Sequence, residues 1–234
     1  ATGSARDERR RGVDAPLAAI SATPRDAGRG RVTRSSVDGI RILAGEDRGA
    51  ELVTISVYLE GSVRYETARN NGITRLLRET LMTSSDPRAG GRAYRFSMLD
   101  LGRFTPYQDR DMWGYSLTVP ADRWKESLTR LGAMLAKPEI DSITVDATRF
   151  LVLDQQSQWL DSDAAHRRQL IFDTKYQVSG YRLPLVGSRT SLMTIGVDEV
   201  AAFYKKLVVK PNLVVAVFRD VKASEVDPAG ALQR

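Results

Sequence analysis

The sequence predicts an α+β fold, a mixed α/β layer with helices packed on one face of a largely antiparallel sheet. Three observations carry this expectation. Residues 52–59 alternate Leu52, Thr54, Ser56 and Tyr58 with Val53, Ile55, Val57 and Leu59, the period of a half-buried strand. Residues 103–109 and 112–119 read as two more strands, and the short Asp109-Arg110-Asp111 link between them makes a hairpin, hence an antiparallel pair. The intervals around these strands carry apolar residues at helical spacing.

In order, Val37-Asp38-Gly39 reads as a turn and Ile40 to Ala44 as a short strand. After the strand at 52–59, Asn70-Asn71-Gly72 opens a helix on which Ile73, Leu76, Leu77, Thr80 and Leu81 share a face, and Thr83-Ser84-Ser85-Asp86-Pro87 is its exit. A short helix is expected over 94–101, stopped by Gly102 ahead of the hairpin. Pro120-Ala121-Asp122 starts a helix whose Trp124, Leu128, Leu131 and Leu135 fall at helical spacing, ended by Lys137-Pro138. Helices follow over about 145–159, 162–177 and 197–208, the last with Asp198 and Glu199 at its positive N-terminal end. Residues 213–218 form a continuous apolar run, expected to be a strand buried on both faces.

Composition excludes several chemistries. The chain has no cysteine, so it offers no disulfide, thiolate metal site or cysteine nucleophile. It has one histidine, His166, so neither a triad using any other histidine nor a multi-histidine metal site can be built. With Arg167 and Arg168 beside it, His166 reads as a solvated helix residue. An apolar share of 42% with 27% charged residues is ordinary for a folded chain. No apolar run approaches the roughly 20 residues needed to span a bilayer.

The net charge of +6 raises a nucleic-acid reading, and its distribution argues against one. Residues 1–34 hold eight arginines and four acids, which leaves the other 200 residues nearly neutral. The aromatics Tyr94, Phe96, Phe104, Tyr107, Trp113 and Tyr115 stand at core-like spacing with no RNA-binding signature beside them. Residues 1–31 read as an extended Arg-rich arm, 32–222 as the folded domain and 223–234 as a tail. The first residue is Ala, which fits removal of an organellar targeting peptide or a sequence given without its start.

One ordered set of motifs is familiar. The strand at 52–60 leads to Gly61-Ser62-Val63-Arg64-Tyr65-Glu66 and then to Asn71-Gly72-Ile73-Thr74-Arg75-Leu76-Leu77-Arg78-Glu79; later come Tyr181-Arg182-Leu183-Pro184-Leu185-Val186-Gly187 and the segment 197–221. This layout resembles the N-terminal domain of the pitrilysin or insulinase-type zinc metallopeptidases, which include the mitochondrial processing peptidase and the core proteins of ubiquinol-cytochrome c reductase. Those relatives carry His-x-x-Glu-His on the helix: two histidines at i and i+4 bind zinc, the Glu between them acts as general base, and a Glu far downstream completes the site. On that alignment the first His position is Arg75, the base position Arg78, the second His position Glu79, and the downstream ligand position falls at or near Gln155.

The resemblance therefore implies a degenerate metallopeptidase domain, with no catalytic residue, metal or cofactor. It also implies half of a two-domain subunit, whether a fragment, a split-gene product, or a chain completed by another polypeptide. The expected role is that of a structural subunit like a core protein of the respiratory complex, on the matrix side of the mitochondrial inner membrane. Its partners would be protein subunits, including a second family half or a sister subunit, with membrane contact only through the complex and no nucleic acid. The alternative is the inactive, substrate-holding partner of a heterodimeric zinc processing peptidase.

Overall fold

In the computed structural model, residues 32–45, 51–177, 179–218 and 226 are described. The expected arm over 1–31 lies outside them, as does the expected tail apart from Val226, which is buried.

The alternation seen in the sequence becomes a twisted six-stranded sheet. Its strands are β1 (Val32–Val37), β2 (Ile40–Gly45), β3 (Leu52–Glu60), β6 (Arg103–Gln108), β7 (Met112–Pro120) and β8 (Leu213–Phe218), and β4 (Ser85–Asp86) and β5 (Arg92–Ala93) form a separate two-residue pair. The order across the sheet is β1-β2-β8-β3-β7-β6. Every neighbouring pair is antiparallel except β2 and β8, which run parallel. The helices are α1 (Ile73–Thr83), α2 (Tyr94–Leu99), α3 (Trp124–Ala136), α4 (Ser142–Leu160), α5 (Asp163–Lys175), α6 (Arg189–Thr194) and α7 (Val197–Leu207).

Register puts one set of side chains on the helix-covered face. Ile55 lies between Leu117 and Val217, and Val57 between Tyr115 and Val215; all six are buried with Ile42, Leu59 and Trp113. Each such side chain withdrawn from water contributes about 1.5–3 kcal/mol relative to exposure. The opposite face is small and polar. There Thr54 and Thr118 share a hydrogen bond of 3.0 Å, Ser56 Oγ donates to Ser116 Oγ at 3.0 Å, and Tyr58 meets Tyr107 edge to face with centroids 5.8 Å apart.

Helix α1 is the centre of the molecule, touching the sheet at β7 and flanked by α2, α3, α4 and α7. Ile73, Leu76, Leu77 and Leu81 fill the core as their spacing predicts, but Arg78 and Glu79 on the same helix are buried as well. A helix enclosed along most of its length must bury polar positions along with its apolar ones; only Arg75 and Thr83 of α1 escape.

Several expectations need correction. The 213–218 run is not buried on both faces, because the helices cover only one: Val214 is half-buried and Phe218 is 48% exposed. Phe96 and Tyr107 are exposed rather than core residues, Phe96 on the outer side of a single-layer short helix and Tyr107 on the uncovered sheet face. Helix α4 starts at Ser142 and not near Val145, since the Asp141 carboxylate accepts the Thr144 N–H at 2.7 Å and caps it. The helix expected over 94–101 ends at Leu99, with Gly102 N bonded to Met98 O at 3.2 Å closing the turn. Strand β1 and helix α6 were not anticipated. β1 is an edge strand with largely exposed side chains, so it shows no apolar alternation, and α6 is six residues long.

Candidate functional site

The segment before α1 is tied to the helix by one carboxylate. Gly61, at φ 151, turns the chain off β3, and its N–H donates to Asp111 O at 2.8 Å. Glu66 follows, buried at the head of α1. Its oxygens accept from the Gly72 N–H at 2.8 Å, the Asn71 amide at 2.8 Å and the Thr74 N–H at 3.1 Å. A carboxylate that satisfies the free N–H groups of a helix start does the work of a cap from a distance. Burial pushes the Glu66 carboxyl up, against the downward pull of these hydrogen bonds.

Gly72 enters α1 at φ 97, and a Cβ on it would stand 2.8 Å from the Gly187 Cα. The two glycines thus press the 183–187 segment onto the head of the helix, where Asn71 also donates to Pro184 O at 3.0 Å and Gln156 to Gly187 O at 3.1 Å. The sequence pointed to both stretches, and the structure joins them.

One turn further along α1 the four residues singled out in the sequence, Arg75, Arg78, Glu79 and Gln155, meet. Arg75 Nε and Nη2 donate to Gln155 Oε1 of α4 at 3.0 and 2.6 Å. Arg78 Nη2 donates to Glu79 Oε1 at 2.6 Å, and Arg75 Nε lies 3.7 Å from the same oxygen. The other Glu79 oxygen is held by Arg95 Nη2 of α2. Beneath them the Tyr115 hydroxyl donates to Arg78 O at 2.8 Å, and burial keeps that phenol protonated by raising its pKa. Glu79 is 1% exposed and Arg78 3%.

Three guanidiniums therefore surround a single carboxylate. Burial first, then the charges of Arg78 and Arg95, lower Arg75 from 12.5 to about 10, with Glu79 opposing them, so Arg75 remains protonated at neutral pH. A guanidinium offers only N–H donors and no lone pair, so it neither binds a cation nor abstracts a proton. The two oxygen-bearing groups of the set, Glu79 and Gln155, already accept from arginines. This donor set does not fit a zinc ion. It can hold negative charge and donate hydrogen bonds. Among the described residues, no group of three or more His, Asp or Glu side chains stands close enough to hold a metal.

His166 lies away from this cluster on α5, exposed, with its ring edge-on to Trp159 at 5.8 Å between centroids. Arg95 was not visible as a partner in the sequence. It sits alone between Tyr94 and Phe96, and only the packing of α2 against α1 delivers it to Glu79.

Comparison with known proteins bears on the family and the fold. A family model described as Insulinase (Peptidase family M16) matches residues 41–189. The mitochondrial cytochrome b-c1 complex subunit 1 of Caenorhabditis elegans is 21% identical over 167 residues, 69% of this chain and 34% of that protein. The chain spans about a third of the length of that curated relative. Among solved structures, a protease from Helicobacter pylori superposes with a TM-score of 0.77 at 15% identity, over 85% of this chain and 48% of that one. A chain of Complex III2 from Candida albicans gives 0.69 at 15% identity, over 86% and 46%. At such identities the structural likeness speaks for the fold. With the family model covering more than half of the residues, the chain belongs to the insulinase family of peptidases, family M16.

Proposed function

We propose that the protein is a non-catalytic, structural member of its family, a subunit resembling a core protein of mitochondrial ubiquinol-cytochrome c reductase. The observation that carries the reading is the Arg75, Arg78, Glu79 and Gln155 cluster, whose oxygens already accept from arginines; on the alignment expected from the sequence, Arg75 falls at a zinc-ligand position and Arg78 at the base position. The relative named as cytochrome b-c1 complex subunit 1 and the likeness to a Complex III2 chain favour the scaffold role over substrate handling. In this reading no residue is catalytic and no metal or cofactor is bound.

The surface supports obligate association. Helix α5 has no buried residue, and its Leu170 and Ile171 are 63% and 64% exposed; Phe150 and Leu160 of α4 are exposed as well. Apolar area of this kind marks a protein interface. Partners are then other subunits of the complex, including a second family half or sister subunit, on the matrix side of the inner mitochondrial membrane. Contact with the membrane is made through those partners; no described helix is long and apolar enough to cross one.

Purification in mild detergent tests the reading. Respiratory-complex subunits in the co-purifying set are the expected outcome. A soluble sister subunit bearing His-x-x-Glu-His, with chelator-sensitive peptidase activity, would instead establish the substrate-holding partner of a processing peptidase. Equimolar zinc in the purified chain would overturn both.

A further inference from the structure

We propose that the Arg75, Arg78 and Arg95 cluster is a binding site for an oxyanion, a carboxylate or phosphate group. This deepens the non-catalytic reading, since it rests on the same positions no longer serving a cation.

The charge balance points there. Three guanidiniums face the single carboxylate of Glu79, so two positive charges of the cluster lack a carboxylate counterpart. The neutral Gln155 accepts from Arg75 but supplies no charge. Burying cations without counterions is costly, and an anion seated on them removes that cost. The Arg78 Nε is buried and has no hydrogen-bond partner among the described residues, and each of the three guanidiniums has more N–H groups than its hydrogen bonds among those residues use.

Access and rigidity are also provided. The Arg78 side chain is enclosed, whereas those of Arg75 and Arg95 are 21% and 34% exposed, so the cluster opens to solvent on one side. Gln155 holds the Arg75 fork and Glu79 holds the other two, which leaves the donors pre-placed. Planar guanidiniums presented this way bind oxyanions through paired, charge-assisted hydrogen bonds.

Thermal unfolding of the full chain in inorganic phosphate and in acetate, each against chloride at matched ionic strength, tests the site. The expected result is a saturable rise in midpoint with at least one of the two oxyanions; which one acts separates tetrahedral from planar recognition. Arg95→Gln should weaken that binding about tenfold or more, read as the anion-dependent rise above the variant's own midpoint in chloride, which itself falls because buried Glu79 loses a partner. Arg41→Gln, on the uncovered face of the sheet, should leave it intact. No midpoint rise with either anion, or an equal rise in Arg95→Gln, overturns the proposal. Elemental analysis separates the two levels: a zinc-free chain that ignores both anions loses only this inference, whereas equimolar zinc removes the reading beneath it.

Discussion

Two buried glutamates on or beside α1 have opposite surroundings. Glu79 is ringed by cations, whereas Glu66 meets only neutral N–H donors in a buried pocket, so burial raises its pKa above 4.5. Because the folded-state value is the higher one, the stability contributed by Glu66 is fully present below about pH 4.5 and is lost as pH rises through the folded value. Glu66→Gln removes one acceptor from a set of buried donors and should cost about 1–3 kcal/mol. Urea unfolding from pH 4 to 7 should show the gap between wild type and variant widest at the acid end; a gap that grows toward neutrality would contradict this assignment. The motif made Glu66 visible as part of a family layout. Its role as the distant cap of α1 required the chain to fold back from β3, and nothing local in the sequence sets that distance.

At the scale of elements, the strongest local signals were reliable. The alternation over 52–59, the Asp109-Arg110-Asp111 turn and the apolar face of α1 all appear where the sequence places them. Weak signals failed for physical reasons: β1 is an exposed edge, and β4 and β5 are two residues each, too short for any period to show. Gly72 illustrates how an element's start depends on another segment. Its left-handed backbone, and the 2.8 Å that a Cβ on it would stand from the Gly187 Cα, leave no room for a methyl group. Gly72→Ala should therefore destabilise the fold by about 1–3 kcal/mol in urea unfolding. An unchanged midpoint would mean that the contact between the head of α1 and the 183–187 segment is looser than described.

For the molecule as a whole, the unequal faces matter most. The sheet's inner face is sealed and α1 is buried except at Arg75 and Thr83, while α5 carries apolar side chains outward. Replacing Leu170 and Ile171 together with lysine should change the stability of the isolated chain by no more than about 0.5 kcal/mol, because neither is buried in it. The same pair should weaken association with the partner subunit about tenfold or more, as read by co-purification or a binding titration. Retained association would place the interface elsewhere. Loss of stability in the isolated chain would show instead that α5 is covered from within.

By itself the sequence determined the fold class, the family layout and a composition with no cysteine and one histidine, and it singled out Arg75, Arg78, Glu79 and Gln155. Those properties follow from residue type and short-range period, which are written along the chain. Only the tertiary structure decided the parallel pairing of β2 with β8 and the arrival of Arg95 at Glu79. Each of these joins residues distant in sequence or from different elements, and such contacts are fixed by the packing of layers around α1.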